Sequence, residues 1–229
     1  MKKLLVMVIA LMATVNMNAQ IEEGEWYITP RVGLGIADLT GKLYSADEAE
    51  DSYDATLHPI TSFAAGLDFA YAMTDQLSLS LGVFFTTQGA KTKDEHEFKV
   101  TMDYFNVPLL LNYYPIPECG LAIKAGVQLG FMSRKKIKYD GQTYDVDFQG
   151  VVVTDPNGRK HMEYTQTELS KQFHKFDCSI PIGISYELYN IVLDARYNLG
   201  LTNVMKEDTE NSKNSVWMFT LGYKFNFGN

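Results

Sequence analysis

Beyond its first fifteen residues the chain has no apolar run approaching the ~18 residues a membrane helix needs, and its mean hydropathy is only −0.14. A helical membrane protein is excluded. A protein that crosses a bilayer with strands is not, because alternation confines its hydrophobicity to every second residue and the average cancels. Cations are scarce as well: 20 Lys and Arg stand against 28 Asp and Glu, for a net charge of −8. Nucleic acid is excluded as a partner on that balance, since phosphate binding needs a basic surface. Cysteine is rare, and neither Cys119 nor Cys178 belongs to a paired metal-ligand spacing or follows a leader where a lipid-modified cysteine would stand. No disulfide is expected between them, because Cys119 falls in a turn and Cys178 well up a strand. No glycine-rich phosphate loop or nucleotide fingerprint is present, so no cofactor is expected.

What is present begins with Lys2 and Lys3, an apolar run from Leu4 to Val15, and small or polar residues ending at Ala19. These are the three regions of a secretion signal, and the run is too short to span a bilayer. Residues 1–19 are therefore expected to be a cleavable signal peptide and residues 20–229 a single domain. Loss of the two lysines moves the net charge from −8 to −10.

The domain alternates apolar and polar residues over 26–38, 60–72, 77–88, 100–114, 120–132, 173–188, 191–200 and 216–228. In the last stretch Trp217, Phe219, Leu221, Tyr223, Phe225 and Phe227 share one face, while Met218, Thr220, Gly222, Lys224 and Asn226 share the other. That is a strand with hydrocarbon on one side and a polar interior on the other. The links Met73–Gln76, Pro115–Glu118 and Tyr189–Asn190 are short, whereas 39–59, 89–99, 133–172 and 201–215 are long. Short periplasmic turns and long outer loops are the asymmetry of outer-membrane barrels. Aromatics gather at both expected rims, with Tyr71, Tyr113, Tyr186 and Phe225 below and Phe63, Phe85, Phe131, Phe176 and Trp217 above. A soluble β-sandwich also alternates but explains neither the turn asymmetry nor the paired rims. The pattern predicts an all-β fold, an eight-stranded antiparallel up-and-down transmembrane β-barrel in the outer membrane.

Parity along these strands turns Arg31, Asp68, Lys124, Glu187, Asp194, Arg196 and Lys224 inward. At ~3.3 Å per residue they form a layer on the order of 10 Å deep in the periplasmic half of a barrel only wide enough for side chains to fill. Desolvated charges are tolerable when paired, so they are expected to form a lumen charge network that closes the barrel. The alternative is a wet lumen that solvates each charge singly and makes the barrel a narrow porin passing ions or small solutes.

The fourth and sixth strands echo each other in Asn106-Val107-Pro108-Leu109-Leu110-Leu111-Asn112-Tyr113 and Ser179-Ile180-Pro181-Ile182-Gly183-Ile184-Ser185-Tyr186. Proline cannot donate to a ladder, so a bulge or bend is expected at each. The segment Tyr104-Phe105-Asn106-Val107-Pro108-Leu109-Leu110-Leu111 resembles a recurring motif of the small outer-membrane β-barrel family that includes PorT-like, porin-like proteins. The signal, the eight-strand plan and the aromatic final strand extend the resemblance over nearly the whole chain. It implies a small barrel without a catalytic motif, and for some relatives a link to protein secretion. The final strand also looks like the signal read by the barrel-assembly machinery, although Gly228 and Asn229 follow its last aromatic.

Chemistry in the loops is sparse. His58, His96, His161 and His174 lie in or beside outer loops without ligand spacing, and a Ser-His pair of His174 with Ser170 or Ser179 lacks a distinctive motif. The longest loop, 133–172, opens with the basic cluster Arg134, Lys135, Lys136 and Lys138 and holds Asp155-Pro156-Asn157-Gly158, turn residues that suit a hairpin. Strands five and six are expected to continue outward as a ribbon, with the basic cluster near lipopolysaccharide phosphates. The leading expectation is a non-enzymatic barrel with a structural or surface-interaction role. Its partners would be outer-membrane lipid, including lipopolysaccharide, an envelope or surface protein, and the assembly machinery during insertion. The alternatives are the narrow porin and an accessory of secretion machinery.

Overall fold

The computed structural model describes residues 22–40, 58–91, 99–139, 142–146, 151–154, 156–163, 174–204 and 213–227. The signal peptide expected at 1–19 lies outside them, as do His96, Ser170, Gly228 and Asn229. Among the described residues twelve strands form: β1 Trp26–Thr40, β2 His58–Thr74, β3 Leu77–Lys91, β4 Lys99–Tyr113, β5 Leu121–Tyr139, β6 Gln142–Val146, β7 Val151–Thr154, β8 Lys160–Glu163, β9 Phe176–Leu188, β10 Ile191–Asn203, β11 Lys213–Tyr223 and β12 Phe225–Asn226. Eight of them close a ring in the order β1, β2, β3, β4, β5, β9, β10, β11 and back to β1, every pair antiparallel. The barrel is an eight-stranded transmembrane one, with β12 carrying the last strand past Lys224 onto β1.

Alternation builds this wall directly. Residues such as Leu34, Phe69, Leu81, Leu109, Val127, Ile184, Leu193 and Phe219 are 40–60% exposed, which would be untenable in water over so wide a face and is what hydrocarbon requires. Their neighbours in sequence are buried within the ring. The periplasmic turns are tight for identifiable reasons. Between β4 and β5 the 3-10 turn Pro117–Cys119 ends on Gly120 at φ 68°, whose N–H donates to the Pro117 carbonyl at 3.1 Å. A residue with a Cβ would be strained there. The β9–β10 turn is two residues, with Tyr189 at φ 56°.

Three expectations need correction. Neither Pro108 nor Pro181 sits at a bulge: the β3–β4 and β5–β9 registers run unchanged past them and merely omit their pairs. Continuous register places Gly82 across from Pro108 and Gly126 across from Pro181; the missing side chain of Gly82 makes room for the Pro108 ring, which a Cβ there would meet at 2.9 Å. The outward continuation also differs. The expected sixth strand, β9, begins only at Phe176, opposite Phe131, and above that point β6 takes its place beside β5. Strands β6, β7 and β8 then fold as successive antiparallel neighbours. A loop this long contains its own hairpins, so it need not prolong both strands that flank it. Finally, β11 starts at Lys213 and the pairing skips Lys224 before β12.

Candidate functional site: the barrel lumen and its outer end

The seven inward charges lie in the lumen, none more than 5% exposed. Antiparallel pairing of β1 with β2 sets Arg31 beside Asp68, its Nε 2.7 Å from Asp68 Oδ2. Arg31 Nη1 also reaches Asp194 Oδ2 at 3.1 Å. Asp194 on β10 is the hub: Lys124 Nζ donates to its Oδ2 at 2.9 Å from β5, and Arg196 Nη2 lies 3.3 Å from Oδ1. Nearer the periplasmic end, Lys224 Nζ donates to Glu187 Oε1 at 2.6 Å and stands 5.1 Å from the Tyr27 ring centroid. The structure thus brings five charges into one cluster and sets Lys224 and Glu187 apart as a pair.

Side chains pack into the tube at several heights. Ala72, Tyr114 and Ala122 form the floor, and the Tyr27 and Ser78 hydroxyls hydrogen-bond at 2.7 Å just above it. The cavity among Tyr27, Arg31, Asp68, Asn112, Lys124 and Lys224 is about 10 Å³, room for one water. Phe84, 2% exposed, lies over the cluster with the Arg196 guanidinium 5.7 Å from its centroid. Higher still, Asn106 donates to Thr86 at 2.6 Å and Gln128 to Ser179 at 3.2 Å. An apolar cap of Ala90, Val100, Met102, Tyr104, Ile137 and Val204 fills the outer mouth, with Met132 and Tyr144 packed against it. Phe84 was not among the expected lumen residues; its signal is the Phe84-Phe85 doublet, which puts one aromatic ring on each face of β3.

The basic cluster does not hold together as one surface. Lys135 is buried, whereas Arg134, Lys136 and Lys138 are exposed, because consecutive residues of β5 point to opposite faces. The exposed side is partly neutralised across the β5–β6 ladder: Arg134 Nε donates to Asp145 Oδ1 at 2.7 Å, its Nη2 pairs with Oδ2, and Lys136 Nζ lies 3.8 Å from the same carboxylate. Burial pushes the Lys135 ammonium down to about 8. The unfolded chain therefore binds more protons than the folded one between roughly pH 8 and 10.5, so stability should rise with pH across that window. Lys135→Met is expected to remove this slope, which urea unfolding of the refolded barrel at pH 7 and pH 10 checks.

The catalytic constellation is not assembled with Ser179. That hydroxyl faces the lumen and accepts from Gln128, while His174 is exposed above the wall. Cys119 and Cys178 are free. Among the described residues no group of three His, Cys, Asp or Glu is placed to hold a metal.

The family model for the outer membrane protein beta-barrel domain matches residues 18–206. No curated protein matches the chain in sequence. Among solved structures it is similar to the outer membrane protein OprG from Pseudomonas aeruginosa, at 13% identity over 91% of this chain and 98% of that one, with a TM-score of 0.47. Neisserial surface protein A is similar at 14% identity over 89% and 100%, with a TM-score of 0.47. Ail, the attachment invasion locus protein of Yersinia pestis, in complex with the heparin analogue sucrose octasulfate, is similar at 15% identity over 89% and 99%, with a TM-score of 0.43.

Proposed function

The chain belongs to the family of outer membrane protein beta-barrel domains, and on that premise we propose that it is a closed, non-enzymatic barrel that works through its outer surface. The observation that carries this reading is the filled lumen. Charge pairs, Phe84 and the apolar cap succeed one another between floor and mouth, and the cavity among the charge pairs has room for about one water where a conducting path would need a file of them. Function then falls to the part of the chain outside the bilayer. Among the described residues β8 is the last strand of the outer sheet, and pairing of a partner strand along that sheet is the interaction proposed. The partner is an envelope or surface protein or lipopolysaccharide, and the aromatic final strand is the segment the assembly machinery reads during insertion.

Single-channel conductance of the refolded chain in a planar bilayer tests the reading, with a heat-dependent gel shift to establish folding. A folded and silent protein is the expected result. Steady ohmic openings would overturn it and make the inward charges selectivity determinants of a narrow porin.

A further inference from the structure

In the periplasmic half of the lumen every buried carboxylate has a cation: Asp68 and Asp194 have Arg31, and Glu187 has Lys224. Asp177 on β9, 4% exposed and nearer the outer mouth, has none among the described residues. Its fixed neighbours are neutral. Thr202 Oγ1 donates to Asp177 Oδ1 at 2.9 Å and is itself held by accepting from the Cys178 N–H at 2.9 Å. The Asn214 side chain lies against the same carboxylate, with its Nδ2 3.5 Å from the Tyr104 hydroxyl. A hydroxyl and an amide solvate a buried charge without balancing it.

Register brings more oxygen to the same place. Gly130 on β5 lies opposite Asn106 on β4 and, on its other side, opposite Asp177 on β9. No side chain separates the two: Asn106 Oδ1 lies 2.7 Å, and Asp177 Cβ 3.3 Å, from the point that a Cβ on Gly130 would take. Asn106 directs its Nδ2 to Thr86, and neither its Oδ1 nor that of Asn214 has a hydrogen-bond partner among the described residues. Both asparagines are 4% exposed or less. Buried amide oxygens ordinarily have a partner, and these two flank a carboxylate that has no cation. One small cation answers both deficits, since hard cations take carboxylate and asparagine carbonyl oxygens as ligands. A single carboxylate balances a single charge, whereas a divalent ion would leave one uncompensated away from water. We infer that Asp177, Asn106 and Asn214 hold a monovalent alkali-metal cation in the outer half of the lumen. The cation ties β4, β9 and β11 together beside Tyr104 of the apolar cap. The site goes beyond the outer-surface reading and does not rest on it.

The test follows urea unfolding of the full mature chain, refolded in detergent, in sodium chloride and in N-methylglucamine chloride at the same ionic strength. The organic cation screens surface charge equally but is too large for the lumen. The wild-type unfolding constant is expected to be about tenfold lower in sodium, as for a ligand that binds the folded state alone and is present at about ten times its dissociation constant. Asp177→Asn keeps the shape of the side chain and removes the charge, so the two salts should then give equal constants. Asn106→Ala keeps the carboxylate and removes one oxygen ligand, and should reduce the sodium effect to about threefold or less. The heat-dependent gel shift establishes folding of each variant, and Asn106→Ala decides the matter should Asp177→Asn not fold. Equal wild-type constants in the two salts would mean that Asp177 carries a proton instead of a metal cation, and would overturn the inference. A sodium effect undiminished in either variant would overturn it as well, as would a gain from calcium chloride with none from sodium chloride.

Discussion

Replacing Asp194 with asparagine should cost about 3–5 kcal/mol, because it removes the one carboxylate that three cations share and leaves them buried together. Arg31, Lys124 and Arg196 all lie within 3.3 Å of an Asp194 oxygen, and the Asp194 side chain is 0% exposed. The cavity beside the cluster has room for about one water, too little to replace the lost charge, and Asp68 is occupied with Arg31. The cationic excess of the cluster would rise from one to two. Arg196→Leu should cost less, since it relieves that excess and keeps the Arg31 and Lys124 contacts, yet it removes a buried partner and the cation over Phe84. Urea midpoints of the refolded variants, read by the heat-dependent gel shift, should order wild type above Arg196→Leu above Asp194→Asn. An Asp194→Asn barrel as stable as wild type would mean the lumen is wet enough to solvate each charge. An Arg196→Leu barrel unchanged in both melting temperature and conductance would count against the network as well.

The barrel was legible because lipid imposes a period of two on every strand within the bilayer. Inside that zone parity placed Asp194, Lys124 and Arg31 in the lumen from sequence alone. Which of them would meet was not legible, since the contacts run across the lumen between strands far apart in the chain, as in Lys124 on β5 with Asp194 on β10, and depend on strand stagger. Above the bilayer the pattern inverts. On β4 and β5 the outward residues become Thr101, Lys99, Arg134, Lys136 and Lys138, and the inward ones become Met102, Val100 and Ile137. Outward hydrophobicity, the signal that marks a strand, vanishes there, so the strands run on past the expected ends to Lys91, Tyr139 and Asn203. The same inversion explains Lys135. Four basic residues within five positions read as one cluster in sequence, but a pleated strand sends its residues alternately to wall and interior.

Gly82→Val should be the most disruptive single change in the wall, costing ~3 kcal/mol or more, because the backbone there packs against three neighbours that cannot all yield. A Cβ at this position would lie 2.5 Å from Asp68 Oδ1, 2.8 Å from Phe84 Cε2 and 2.9 Å from Pro108 Cγ. Phe84 is confined within the lumen, and the Pro108 ring is rigid and buried. Asp68 is a chain end that could swing away, but it is held by Arg31 Nε at 2.7 Å, so making room means breaking an ion pair. Local crowding and the charge network are therefore one structural problem. Gly82→Ala is the measurable form of it, less severe than valine and expected to fold. In a cycle with Asp68→Ala, the double variant should be less destabilised than the sum of the singles by about 1 kcal/mol or more, since the second change removes the oxygen that the new methyl strikes. Additive urea midpoints would mean that Pro108 and Phe84 take all the strain, and that the glycine serves the proline opposite it without serving the carboxylate beside it.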